Sequence, residues 1–161
     1  MKRLLPILTL ALIAGCSTPS MKEENGTTVV GAEFDFNKFV EENLGPVTAV
    51  TKPPWCMTWL EFIRGIVKAE SNWTPNAKYT EKFIDGFTKR PAISAGYFQL
   101  SVGDKLNYKT KYCSRLNETN IVDRETNTGC ALEIIERLIS RGRSLGAYWS
   151  VVRDQKVKCN D

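Results

Sequence analysis

The chain has 161 residues, 42% of them hydrophobic and 25% charged, enough for one domain with a buried core. Its 22 basic and 18 acidic residues are too evenly balanced for a nucleic-acid footprint. It contains no histidine, which excludes Ser-His-Asp and Cys-His devices and any imidazole base or metal ligand, so carboxylates and hydroxyls must carry any catalysis.

At the N-terminus Lys2 and Arg3 precede an apolar run from Leu4 to Ile13, closed by Ala14 and Gly15 directly before Cys16. The run is too short to cross a membrane and reads as an export signal over residues 1–15. The stretch "LIAGC" resembles a bacterial lipobox, which implies that Cys16 is acylated and anchors the mature chain in a membrane. Ser17 in the next position implies an outer-membrane lipoprotein facing the periplasm or exported to the cell surface. Removing Lys2 and Arg3 with the leader leaves 20 basic residues against 18 acidic ones. Residues 16–32, rich in Ser, Thr and Gly, read as a flexible tether, and the folded domain is expected over 33–161.

Within that domain the apolar spacing is mostly helical. "EFDFNKFVEENLG" predicts a short amphipathic helix with Phe36, Phe39, Val40 and Leu44 inward, stopped by Gly45 and Pro46. A second helix is expected from about Cys56 to Ser71, ended by Pro75, with Trp59, Ile63, Ile66 and Val67 along one face. Glu70 falls on that apolar stripe, whereas Glu61, Arg64, Lys68 and Asn72 lie opposite. A carboxylate facing a core must be neutralised, paired (with Lys68 or Arg153, for example) or used, because desolvation opposes its charged form.

Residues 76–93, "NAKYTEKFIDGFTKRPAI", show no clean period and contain Gly86 and Pro91; they read as a long loop with at most one helical turn. "TGCALEIIERLISR" is a strong amphipathic helix with Ala131, Ile134, Ile135, Leu138 and Ile139 as its stripe, and "SLGAYWSVVR" is a final helix bearing Tyr148, Trp149 and Val152. Strand signals are nearly absent, so the fold expected is mainly α, with a long loop or a small irregular hairpin.

Four cysteines remain after Cys16, an even number in an exported chain, and neither a CxxC spacing nor a histidine supports zinc or another metal. Three pairings are open. The one adopted here joins Cys113 to Cys130 as a local loop and Cys56 to Cys159 as a staple between the chain end and the Glu70 helix.

"ESNWTPNA", followed at a distance by "SAGYFQLS", resembles the soluble lytic transglycosylase family, related to goose-type lysozyme. The family's Glu-Ser, Pro and Gly-x-x-Gln elements correspond to Glu70, Ser71, Pro75, Gly96 and Gln99. "NTGC" is similar to its Asn-x-Gly helix opening through Asn127 and Gly129, and "GAYW" to its tyrosine segment through Tyr148. The resemblance spans roughly residues 55–153. It implies a single lysozyme-like domain that acts on peptidoglycan glycan strands, as a monomer and without a cofactor. Two departures stand out: Tyr79 lies near the family's loop serine, and only the tyrosine of its Tyr-Asn-Ala-Gly segment carries over into "YWSV".

What the resemblance implies for chemistry is cleavage of the β-1,4 bond between N-acetylmuramic acid and N-acetylglucosamine. Glu70 would act first as acid and then as base, giving 1,6-anhydro products. The groove candidates are Ser71, Ser94, Gly96, Tyr97, Gln99 and Tyr148, with Trp73 able to stack on a sugar and Tyr97 and Tyr148 equally able to be core aromatics. Asp85 is the candidate for a second carboxylate, which a hydrolytic muramidase of the same fold would need. A non-catalytic wall-binding or inhibitor lipoprotein is the other alternative; it would have no use for an acid that costs stability in an apolar site.

Overall fold

A computed structural model describes residues 33–86 and 89–160. The leader, Cys16 and the tether lie outside the described residues.

The first helix, α1 (Phe36–Asn43), starts where Asp35 accepts the Lys38 N–H at 3.1 Å. It buries Val40, with Phe36 and Phe39 packed at the edge of the core. Pro46 opens the short α2 (Pro46–Val50), its fixed φ suiting the first helical turn. The Glu70 helix, α3, runs Trp59–Ser71 and begins three residues later than the sequence suggests, because Thr58 and Glu61 form a reciprocal capping box there. It ends before Pro75, at Asn72, which turns left-handed (φ 49°, ψ 43°) and is followed by Trp73, also left-handed at φ 61°. Phe62, Ile63, Ile66 and Val67 are fully buried. At Gly65 a Cβ would meet the Lys158 carbonyl oxygen at 2.4 Å, so this residue lets the C-terminal segment lie directly on the helix.

The segment read as a long loop is a hairpin. Strand β1 (Lys78–Ile84) pairs antiparallel with β2 (Pro91–Ala95), which pairs in turn with β3 (Leu100–Ser101), in the order β1-β2-β3. Lys78, Tyr79 and Thr80 oppose Ala95, Ser94 and Ile93; the register then shifts before Ile84 meets Pro91. Six of the seven β1 residues are exposed, so no alternation of apolar and polar residues marked it as a strand.

After α4 (Asp104–Asn107) and a 3-10 turn at Cys113–Arg115, the central helix α5 (Arg124–Ser140) starts at Asp123, which accepts the Thr126 N–H at 2.8 Å. Asn127, Thr128, Cys130, Ala131, Ile134 and Ile135 are buried along it. The single final helix read from the sequence is instead a 3-10 turn (Leu145–Ala147) and a short α6 (Ser150–Arg153). Between them Trp149 is extended and its indole N–H donates to the Phe98 carbonyl at 3.1 Å, a buried bond that takes the residue out of helical geometry. Two disulfides, Cys113–Cys130 and Cys56–Cys159, close 17- and 103-residue separations. Each removes conformational freedom from the unfolded chain, the longer closure removing more.

Candidate active site

Glu70 stands in the last turn of α3, where the apolar face of the helix reaches the rim of a groove of about 540 Å³. Its helical position explains the placement: the stripe that buries Ile66 and Val67 carries Glu70 to the edge of the same core, where it is half-buried. Among the described residues no hydrogen bond or ion pair reaches its carboxyl; Arg153 pairs with Asp154 instead, and Lys68 is exposed. Burial, reinforced by the negative charge of Glu81 and only partly offset by Lys156, pushes the Glu70 carboxyl from its ordinary 4.5 up to about 7.

The hairpin supplies the facing wall. Glu81, in the irregular stretch of β1, lines the groove and accepts a 2.6 Å hydrogen bond from the Ser94 hydroxyl on β2. Asp85 follows the end of β1 and Asp104 opens α4; both are buried and line the groove. The Ser101 hydroxyl donates to Asp85 at 3.1 Å. Asp104 accepts from the Ser101 N–H at 2.8 Å and from the Tyr148 hydroxyl at 2.5 Å. Burial raises the Asp104 carboxyl, although these two hydrogen bonds oppose the shift. The same bond, with burial as the larger cause, pushes the Tyr148 phenol well above its ordinary range.

Gln99 also lines the groove, held at φ 50° with its amide N–H donating to the Gly96 carbonyl at 2.9 Å and the Ala77 carbonyl at 3.3 Å. Gly96 itself sits at φ 79°, and a Cβ there would meet the Asn127 side chain at 2.3 Å. Fully buried Asn127 accepts from the Phe98 N–H at 3.0 Å and donates to the carbonyls of Ala95 and Ile121 at 3.0 and 2.7 Å. It therefore fixes the turn that presents Gln99.

Of the residues singled out in the sequence, the structure brings Glu70, Asp85, Ser94, Gln99 and Tyr148 to this groove. It does not bring the others. The Ser71 hydroxyl donates back to the Val67 carbonyl at 3.1 Å and is buried. Trp73 and Tyr97 pack edge to face at 5.8 Å and each meets Phe36, at 4.9 and 5.9 Å. The two left-handed residues after α3 turn Trp73 into that aromatic cluster. Gly96 acts through its backbone. Glu81 was missed by sequence reasoning, and an exposed, irregular strand offers no periodicity by which to find it. Among the described residues no group of three or more His, Cys, Asp or Glu side chains is placed to hold a metal ion, and no helix is long and apolar enough to cross a membrane.

Neither family models nor curated proteins give a match to the chain. Three solved structures of Bd0314 DslA do. The wild type in form 2 is 23% identical with a TM-score of 0.61, and two glutamate-to-glutamine mutants are 24% and 23% identical with TM-scores of 0.59 and 0.60. Each covers 75% of this chain and 82% of its own. The shared fold is a mainly α, lysozyme-like single domain with a small antiparallel sheet.

Proposed function

We propose that the chain is a glycosidase that cleaves the β-1,4 glycan strands of peptidoglycan, with Glu70 as general acid. The observation that carries this reading is the Glu70 carboxyl: desolvated, unpaired among the described residues, at a groove rim, and still half-protonated near neutral pH. Such a group can give a proton to a glycosidic oxygen as the bond to the anomeric carbon breaks. Proton donation leaves Glu70 ionised, ready to recover a proton in the next turnover.

The anhydro product expected from the sequence presumed no second acid near Glu70. Glu81 lines the same groove and its charge acts on Glu70, so a second carboxylate is at hand and the reading we favour is hydrolysis. Glu81, oriented by the Ser94 hydroxyl, takes a proton from a water molecule that attacks the anomeric carbon on the face opposite the leaving oxygen. The water proton goes to Glu81, the Glu70 proton goes to the leaving group, and the configuration inverts. Bd0314 DslA has been solved with glutamine at either of two glutamates eleven positions apart, the spacing between Glu70 and Glu81. The same proposal keeps the enzyme at the outer membrane through acylated Cys16.

Digestion of purified wall in water enriched in heavy oxygen tests the reaction. Reducing ends carrying the label are expected. Unlabelled products lighter by one water would make the enzyme a lytic transglycosylase with Glu70 as its single acid and base.

A further inference from the structure

Asp104, Asn107 and Tyr148 form a wall with two sides. One side faces the groove with Glu70; the other bounds a second hollow of about 330 Å³, whose remaining lining includes Arg137, Arg141 and Arg143. The Arg137 guanidinium lies 5.7 Å from the centre of the Tyr108 ring, and the three arginine charges act on that phenol against the larger effects of burial and of the Asp104 charge, so all three border the same hollow. Among the described residues no carboxylate pairs with any of the three. The acid in the hollow, Asp104, is already engaged by Ser101 and Tyr148.

A basic helix end alone does not account for this arrangement. Arg137 and Arg141 sit at the C-terminal end of α5, where cations complement the helix dipole. Arg143 lies beyond it. Gly142, at φ 64°, reverses the chain so that the Arg143 N–H donates to the Leu138 carbonyl at 2.9 Å, and this turn returns a third guanidinium to the same hollow. Three unpaired cations facing one cavity repel one another, a cost that a bound anion relieves.

The anion that a wall-cleaving enzyme meets beside its groove is carried by the substrate. Peptide stems hang from alternate sugars of peptidoglycan and end in free carboxylates, which guanidinium groups bind in bidentate fashion. We propose that the Arg137–Arg141–Arg143 hollow is a subsite for the carboxylates of the stem peptide, selecting glycan strands that still bear their stems. This rests on the glycosidase reading above.

The test compares two substrates for the full chain: wall glycan with its stems, and the same strands after an amidase has removed them. The readout is the ratio of kcat/KM on stem-bearing to stem-free strands, with the change expected in KM. Replacing both exposed arginines (Arg141→Gln with Arg143→Gln) lowers that ratio at least about tenfold, the scale of losing a charge-assisted hydrogen bond. Arg141→Lys, which keeps the charge but not the fork, falls between wild type and the Gln variant. Added salt lowers the wild-type ratio more than that of the double variant. A double-variant ratio within twofold of wild type overturns the subsite while leaving the glycosidase reading standing. Failure of the wild type to cleave either substrate overturns both.

Discussion

Two regions of the molecule hold half-buried glutamates, and they treat them in opposite ways. On α5, Glu133 accepts from the Tyr112 N–H at 3.0 and 3.1 Å, from the Cys113 N–H at 3.0 Å and from the Thr110 hydroxyl at 2.5 Å; Glu136 accepts from the N–H groups of Val47 and Thr48 at 2.5 and 3.0 Å. These carboxylates tie the 3-10 turn at Cys113 and the start of α2 to the central helix. Glu70, one helix away, receives no donor among the described residues. A carboxylate surrounded by donors holds chain segments together, whereas one left without donors in a desolvated site keeps its proton. On the proposed reading, that contrast separates a structural acid from a reactive one more sharply than burial does.

The largest expected effect comes from removing the proposed general acid, Glu70. Glu70→Gln keeps the shape but cannot release a proton, and cleavage of purified wall falls about 10²–10⁴-fold, as general acid catalysis implies. The same variant should gain in relative stability with rising pH. The folded-state carboxyl titrates near 7 and the unfolded one near 4.5, so the wild type is not penalised below 4.5, and the penalty of burying the charged form is complete above 7. The melting temperature of Glu70→Gln minus that of wild type therefore increases across that window. Wall turnover by Glu70→Gln within a few-fold of wild type would erase the contrast.

The structural acid should give the reverse pattern with a smaller effect. Glu133→Gln turns an acceptor toward donors as an amide, leaving buried N–H groups of Tyr112 and Cys113 poorly satisfied and costing about 2 kcal/mol of stability. Thermal melts read the loss, while activity per folded molecule stays near wild type. A Glu133→Gln chain that melts with wild type would show that counting donors does not identify structural acids here.

How much of this was legible in the sequence depended on periodicity. The 3.6-residue stripe through Trp59, Ile63, Ile66 and Val67 located Glu70, because a helix places every residue on a known face. The α5 stripe was legible for the same reason, and the cysteine pairs joined in the structure are the two adopted from the sequence. Glu81 was not legible: β1 is exposed on both sides and its register slips between Thr80 and Ile84. Trp73 was misleading for a different reason. Its nearness to Glu70 in sequence suggested the groove, but the left-handed turn at Asn72 and Trp73 directs it against Phe36. Asn127 showed itself only as part of a motif; its two hydrogen bonds to the Gln99 turn, with Phe98 and Ala95, are long-range pairings that spacing along one helix cannot reveal.

Direct titration of the Glu70 side chain tests the central claim. Carbon-detected NMR of the carboxyl groups, with Glu70 assigned by the signal lost in Glu70→Gln, should give a midpoint near pH 7. A midpoint near the ordinary 4.5 would mean that the carboxyl is solvated or paired, and that Glu70 carries no proton to donate at neutral pH.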